Sequence, residues 1–249
     1  VFGTMAKKGY IYKGLKAVYW CPHCETALAE AEIEYKEIKS NSIFVRFKAE
    51  DLGSHAPQGF DKGHTYALIW TTTPWTLPSN MFLAVGAEID YVTVYDPESQ
   101  EYYVMAENLL KKYYKSPEQY KFIYKQKGKE LKNLTYQPLF DYIPNSKIPT
   151  EYKSQFFQIL NGDFVSTEDG TGIVHIAPTF GEIDFMAVAE LLGEQHALEW
   201  LFMPVDEYGC FDEQVPDYQG MKVFDANKLV MDELKARKVT VKAESITHS

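Results

Sequence analysis

Apolar residues in this chain come in short runs broken by Gly, Pro, Asn, Asp and Ser, the pattern of many short strands rather than of long helices. Runs of this kind lie at 15–20, 66–70, 81–85, 91–95, 102–105, 122–124, 156–160, 164–166, 202–205 and 239–243. Asp96-Pro97-Glu98-Ser99 joins two of them as a hairpin. Residues 27–35 contain Ala, Leu and Glu, which favour helix by propensity. Yet Ala27, Ala29, Ala31, Ile33 and Tyr35 alternate with Leu28, Glu30, Glu32 and Glu34. That period of two predicts a strand with one wet face, paired to 43–49 across Lys39-Ser40-Asn41-Ser42. Helical spacing is confined to three places: 106–114, with Leu109 and Leu110 inward; 182–192, with Phe185, Val188, Ala189 and Leu192 on one face and Gly193 as its stop; and 225–237, with Asp225 as N-cap. Residues 51–63 read as a Gly/Pro/His/Asp-rich loop. No repeat or low-complexity tract is present. The expectation is a mainly β fold with peripheral helices around a closed or nearly closed β-barrel core.

One stretch breaks the rhythm. After the apolar run Tyr66-Ala67-Leu68-Ile69-Trp70 come Thr71-Thr72-Thr73-Pro74-Trp75-Thr76-Leu77-Pro78-Ser79-Asn80, four threonines and two prolines within eight residues. Pro74 fixes its own φ, and both prolines bias Thr73 and Leu77 away from helix. An extended, kinked strand exit follows, with short hydroxyls and amides on a stiff backbone, a good place to hold a small polar group. A second such place is Gly170-Thr171-Gly172-Ile173-Val174-His175-Ile176-Ala177-Pro178-Thr179-Phe180-Gly181-Glu182-Ile183-Asp184-Phe185. Here a strand ends at His175, Pro178 and Gly181 turn the chain, and a helix brings its first turn back toward the strand exit. An acid there faces a pocket and gains from the helix N-terminal amides. Spacing alone does not choose between Glu182 and Asp184.

WTTTPWTLPSN resembles the threonine-rich motif of the editing domain (CP1) of isoleucyl-tRNA synthetase, a class I aminoacyl-tRNA synthetase. The valyl and leucyl enzymes usually carry Arg at the Thr73 position and an acid at the Trp75 position, so Thr73 and Trp75 point to the isoleucyl branch. GTGIVHIAPTFGEIDF is similar to the other motif of that domain, in which a strand-end His and an Asp nine residues on are matched by His175 and Asp184. The resemblance implies hydrolysis of valine misattached to the tRNA for isoleucine, and of valyl adenylate. It assigns catalytic work to Thr72, Thr73, His175 and Asp184, and substrate binding to Thr71, Trp75, Thr76 and Asp184. In these roles Asp184 pairs with the substrate ammonium, and His175 and Trp75 limit the pocket. It also implies residues 1–50 as a β-ribbon linker to a catalytic core, 51–238 as the editing domain and 239–249 as a strand returning to that core. No cofactor is implied for this region; ATP and Mg belong to the synthetic domain. The partners implied are the acceptor end of the tRNA and the rest of the synthetase.

Length and charge fit a limited role. The 249 residues, 45% apolar, suffice for one large core or two modest ones. With 25 basic and 35 acidic residues the net charge is −10, a poor balance for gripping nucleic acid, which needs Lys and Arg at phosphates. Arg46 and Arg237 are the two arginines, and lysines at 111, 112, 115, 121, 125, 127, 129 and 132 form the one basic concentration. No apolar run is long enough to span a membrane, and residues 1–10 lack signal-peptide architecture. Val1 at the start and an abrupt end at Ser249 suggest an excised piece. Three cysteines do not make a disulfide framework, so a reducing cytoplasm is expected. Cys21-Pro22-His23-Cys24 invites two rival readings, a thiol–disulfide oxidoreductase or a zinc site with Cys21 and Cys24 as weak candidate ligands. Missing βαβ patterning opposes the first, and the want of a second pair opposes the other. The remaining alternative is a module that captures aminoacyl-tRNA or adenylate without cleaving it.

Overall fold

A computed structural model describes residues 1–11, 17–49, 62–143 and 149–248; most of the expected 51–63 loop and the start of the expected 15–20 strand lie outside these. Eleven strands are described: β1 (Tyr19–Cys21), β2 (Thr26–Leu28), β3 (Ile38–Lys48), β4 (Thr65–Thr71), β5 (Phe82–Val85), β6 (Asp90–Asp96), β7 (Glu101–Ala106), β8 (Lys121–Lys127), β9 (Ile159–Asn161), β10 (Ile173–Ile176) and β11 (Thr240–His248). They form a six-stranded sheet in the order β11-β3-β4-β7-β6-β8, a three-stranded sheet β10-β5-β9, and a small ribbon β1-β2. Pairing is antiparallel except at β4/β7 and β5/β9. No closed barrel is found among the described residues. The fold is mixed sheets plus helices, with β11 and β8 as free edges of the larger sheet.

The larger sheet is buried on both faces, which is why β4 reads as a continuous apolar run rather than an alternating one. Ile43, Val45, Phe47, Ala67, Ile69 and Val104 face the main core. Phe44, Leu68, Val92, Val94, Tyr103 and Met105 face the other side, where Leu110 and Tyr114 cover them. The period of two thus sorts the residues between two apolar layers. All four residues of β5 are fully buried, and the three-stranded sheet continues the main core. The helix Val223–Ala236 closes that core with Val223, Ala226, Val230 and Leu234, one turn apart along a single face.

Several sequence expectations hold. Glu182–Leu192 is a helix, with Val188 buried and Phe185, Ala189 and Leu192 packed against the core. Gly193 ends it at φ +83°, its amide donating to the Ala189 carbonyl. The Asp96 turn is closed by its own carboxylate, which accepts from the amides of Glu98 (2.9 Å) and Ser99 (3.0 Å). Leu109 and Leu110 point inward, on a 3-10 turn followed by a short α-helical one.

Others are corrected. Residues 27–35 do not form a strand beyond Leu28; Glu30–Glu32 is a 3-10 turn in which the Glu32 carboxylate accepts the Ala29 amide at 2.8 Å. Glu and Ala gain little from a sheet, and this segment is exposed, so the alternation had no core to face. Residues 39–42 are not a turn but the first part of β3, paired with β11. Residues 164–166 and 202–205 are not strands; the second makes one isolated bridge, Val205 to Phe211. The last helix starts at Val223 with Lys222 at its cap, and Asp225 sits in its first turn instead.

Candidate functional site

The threonine stretch leaves β4 and winds, rather than extending, into a 3-10 helix at Pro74–Ser79. Its N-cap, Thr73, is non-helical (φ −125°, ψ 67°), as a following proline favours, and Pro74 enters at the first position where its missing N–H costs nothing. Leu77, despite preceding Pro78, is accommodated by the tighter 3-10 winding. The amides at the start need acceptors. Thr71 Oγ1 takes the Thr73 amide at 3.1 Å, and Asn227 Oδ1, from the Val223–Ala236 helix, takes the Trp75 amide at 2.9 Å. Both the amide and the hydroxyl of Thr76 donate to the Thr73 carbonyl, at 3.0 and 2.9 Å.

The two motifs meet because β5 follows the 3-10 helix directly and pairs antiparallel with β10. His175 lies opposite Leu83, and the Met81 amide donates to the Ile176 carbonyl at 2.9 Å. That register sets the His175 Nε2 2.8 Å from Thr76 Oγ1 and its Nδ1 3.4 Å from Asn80 Nδ2. The chain then turns through Pro178 and Gly181, and the first turn of the Glu182–Leu192 helix returns Asp184, whose Oδ2 accepts the Ala177 amide at 2.8 Å. Glu182 is exposed while Asp184 is half-buried. Geometry therefore separates the two acids that spacing could not.

Between these elements lies a cavity of about 540 Å³. Thr71, Thr72, Thr73, Thr76, His175 and Asp184 all line it, with Thr76 and His175 in direct contact. Phe164, Phe180 and Ile183 add apolar surface; Ser166, Glu168 and Asp169 form part of the rim. The rim is tied back by Lys112, whose ammonium contacts the Glu168 carbonyl and the Asp169 carboxylate. Burial acts oppositely on the two titratable groups of the wall. It pushes His175 down to about 4 and Asp184 up to about 6, the latter partly opposed by the Ala177 amide. At neutral pH this wall therefore presents a neutral imidazole and the Asp184 carboxylate, the latter the complement of an ammonium group.

Trp75 is not on the wall. The 3-10 winding turns its ring toward the last helix, where it stacks edge-on against Phe180 (centroids 4.6 Å) and Phe224 (6.4 Å). Phe180 stands between it and the cavity, so Trp75 shapes the pocket at one remove. Cys21 and Cys24 sit on the β1–β2 turn, the Cys24 amide 3.3 Å from Cys21 Sγ, a contact that lowers the Cys21 thiol. No group of three or more His, Cys, Asp or Glu side chains suited to a metal occurs among the described residues. Four of the eight clustered lysines are held by carboxylates of the chain itself: Lys112 by Asp169, Lys125 by Glu107, Lys127 by Asp90 and Lys129 by Glu88. Residues that sequence reasoning passed over include Phe164, Phe180 and Ile183 on the wall, and Asn80, Tyr136 and Asn227 behind it. Asn80 lay inside the quoted motif; nothing in the pattern around Tyr136 or Asn227 marks either.

A pocket of this build, set among mixed sheets, has known counterparts. The family model described as tRNA synthetases class I (I, L, M and V) matches residues 1–137, and the chain belongs to that family. More particularly, it is 42% identical along its whole length to the isoleucine–tRNA ligase of Thermoanaerobacter sp. (strain X514), covering 25% of that protein. It is likewise 42% identical to that of Listeria monocytogenes serotype 4b (strain F2365), covering 24%. The chain thus spans about a quarter of the length of the curated relatives it matches. Among solved structures, GlLeuRS-CP1 is similar at TM-score 0.57 and 14% identity, over 82% of this chain and 99% of that one. The P. knowlesi cytosolic leucyl-tRNA synthetase editing domain is similar at TM-score 0.57 and 14% identity, over 83% and 97%. These likenesses show the fold, a CP1 editing-domain fold. No described helix is long and apolar enough to cross a membrane.

Proposed function

We propose that this cavity removes valine misattached to the tRNA for isoleucine, and destroys valyl adenylate, as the editing part of an isoleucine–tRNA ligase acting in the cytoplasm. The observation that carries the reading is the shared cavity: hydroxyl-bearing Thr71, Thr72, Thr73 and Thr76 line it together with His175 and the Asp184 carboxylate. In a hydrophobic pocket one methylene is worth about 1–3 kcal/mol, a general figure to which isoleucyl-tRNA synthetases themselves contributed. A synthetic site selecting isoleucine therefore passes some valine, and a second, smaller site corrects it.

Asp184 anchors the substrate α-ammonium. His175 and, through Phe180, Trp75 bound the side-chain space. Thr72 and Thr73 position the ester and the attacking water; Thr71 and Thr76 hold that wall in shape. Water adds to the ester carbonyl, the acyl–oxygen bond breaks, and the ribose oxygen leaves with a proton. The acceptor end of the tRNA enters the cavity, and the rest of the synthetase supplies the remaining grip. ATP and Mg serve the synthetic domain and have no part in these steps.

The test is deacylation of valyl-tRNA for isoleucine by wild type and Asp184→Ala. Losing one partner of a desolvated charge pair costs roughly 2–5 kcal/mol, so the rate constant should drop by about thirtyfold or more with the fold retained. Wild-type rates in the variant would remove the ammonium anchor from the mechanism.

A further inference from the structure

Behind the cavity wall, a chain of buried hydrogen bonds ends on His175. Each link has a forced direction, because two backbone carbonyls, which can only accept, anchor it. The first anchor is the Phe82 carbonyl, 2.9 Å from the amide nitrogen of Asn80. The Asn80 atom facing it must be the NH2 group. That same NH2 is the atom turned to His175 Nδ1, at 3.4 Å, so Nδ1 is an acceptor. The other end of the amide, Oδ1, then receives the phenol of Tyr136 at 2.7 Å. Burial holds the Tyr136 phenol far above its ordinary range, so it is a permanent donor. The second anchor is the Thr73 carbonyl, which takes the Thr76 hydroxyl proton at 2.9 Å. Thr76 Oγ1 is left with only lone pairs for His175 Nε2, 2.8 Å away, so Nε2 carries the proton. The two anchors, reached independently, require the same tautomer.

We propose that Tyr136 and Asn80 are positioning residues that, together with Thr76, lock His175 as a neutral Nε2–H imidazole, so that it serves as a fixed wall of the cavity and not as a general base. A base at Nε2 needs a lone pair where this ring carries a proton. The lone pair it does have, on Nδ1, points at Asn80, away from the cavity. Asn80 and Tyr136 are themselves 4% and 2% exposed, and Phe47 and Phe157 pack edge-on around the Tyr136 ring. The amide thus has no water to turn toward. Proton transfer to and from the attacking water falls instead to the substrate's own hydroxyl or to solvent.

The test is a 15N-resolved proton spectrum of the His175 ring in the whole chain at pH 7, in wild type and in Tyr136→Phe, with deacylation of valyl- and isoleucyl-tRNA measured on both. Wild type should show the proton on Nε2 alone. Tyr136→Phe should move the Nδ1 resonance toward that of a nitrogen with no hydrogen-bond donor, and lower the preference for valyl over isoleucyl ester by about tenfold, because the ring is no longer held at one angle. A merely structural tyrosine would lower the melting temperature and change neither. A wild-type ring protonated on Nδ1, or on both nitrogens, overturns the lock; an unchanged ring spectrum in Tyr136→Phe overturns the part assigned to that residue. Should the variant not fold, the wild-type spectrum decides by itself. The specificity arm rests on the hydrolytic reading above and the spectrum does not, so an inactive wild type would sink that reading while leaving the tautomer assignment standing.

Discussion

Asp184 and His175 share one cavity, and the burial that makes them useful displaces their titrations in opposite directions. Asp184 rises from an ordinary value near 3.8 to about 6 in the fold, so its protonation favours the folded state. The stability it contributes is complete below pH 3.8 and lost as pH rises through about 6. His175 falls from near 6.5 to about 4, so the stability it contributes is present above pH 6.5 and lost as pH falls through about 4. On acidification from pH 6.5 to 4 the two oppose each other. Asp184→Asn removes one side while retaining an acceptor for the Ala177 amide. Its melting temperature relative to wild type should therefore be highest near pH 7 and decline steadily to pH 4, as followed by thermal denaturation across that range. A difference that stays constant with pH would mean that Asp184 is not desolvated. The same protonation strips the ammonium anchor, so kcat/KM for valyl-ester hydrolysis should drop as pH falls through about 6, well above the range of an ordinary aspartate.

At the level of elements, the site exists because β5 and β10 pair, and Gly172 sets the entry to that pairing. It sits at φ +74°, and a Cβ there would meet the Ala106 Cβ at 2.5 Å. Its carbonyl also accepts the Tyr91 phenol at 2.5 Å, and that phenol oxygen takes the Gly86 amide. Gly172→Ala should cost about 2–4 kcal/mol, from the left-handed backbone and the overlap together. Gly193 has a similar φ and open space around it, but its ψ of 144° is one that side chains rarely adopt, so Gly193→Ala should cost about 1–3 kcal/mol from the backbone alone. Chemical denaturation of both variants separates the terms; equal losses would show that the overlap at Gly172 relaxes freely. The same pairing explains what was legible in the sequence. Thr71 to Thr76, His175 and Asp184 stood out because each lies at a strand exit beside proline or glycine, and local chemistry marks such exits. The helix 182–192 was legible because its apolar spacing faces a real core. The strand expected at 27–35 failed because alternation records a face without saying whether anything covers it. Asn80, Tyr136 and Asn227 act on the site across 56 to 152 positions of chain, through single hydrogen bonds that leave no periodic trace. That no closed barrel is found among the described residues has a related reason: short alternating strands are equally good in an open sheet, and closure depends on edges that pattern does not encode.

Under the proposed function, the whole molecule must bring a polyanion to this cavity while carrying a net charge of −10. The lysine-rich stretch between 111 and 132 is the natural place to seek compensation, but half of its ammonium groups are already committed to carboxylates of the chain. Lys112 in particular spends its charge neutralising the acidic rim at Asp169. Such exposed pairs add little stability, yet they remove positive potential that a phosphate backbone would otherwise feel. The ligand end that enters the cavity, with its ammonium facing Asp184, should accordingly supply most of the recognition this chain offers. Two measurements check that at once. The kcat/KM for a valyl ester of a short RNA stem should lie within about tenfold of that for valyl-adenosine, and log kcat/KM for the stem should fall with log salt at a slope shallower than about −2. Each phosphate neutralised by a lysine adds about −0.7 to −0.9 to that slope. Engagement of Lys111, Lys115, Lys121 and Lys132 together would therefore give a slope near −3, with the stem preferred by far more than tenfold. That outcome would place the grip on RNA with this chain's own lysines and not with the rest of the proposed synthetase. The shallow slope leaves the chain as a pocket that depends on a larger partner to deliver its substrate.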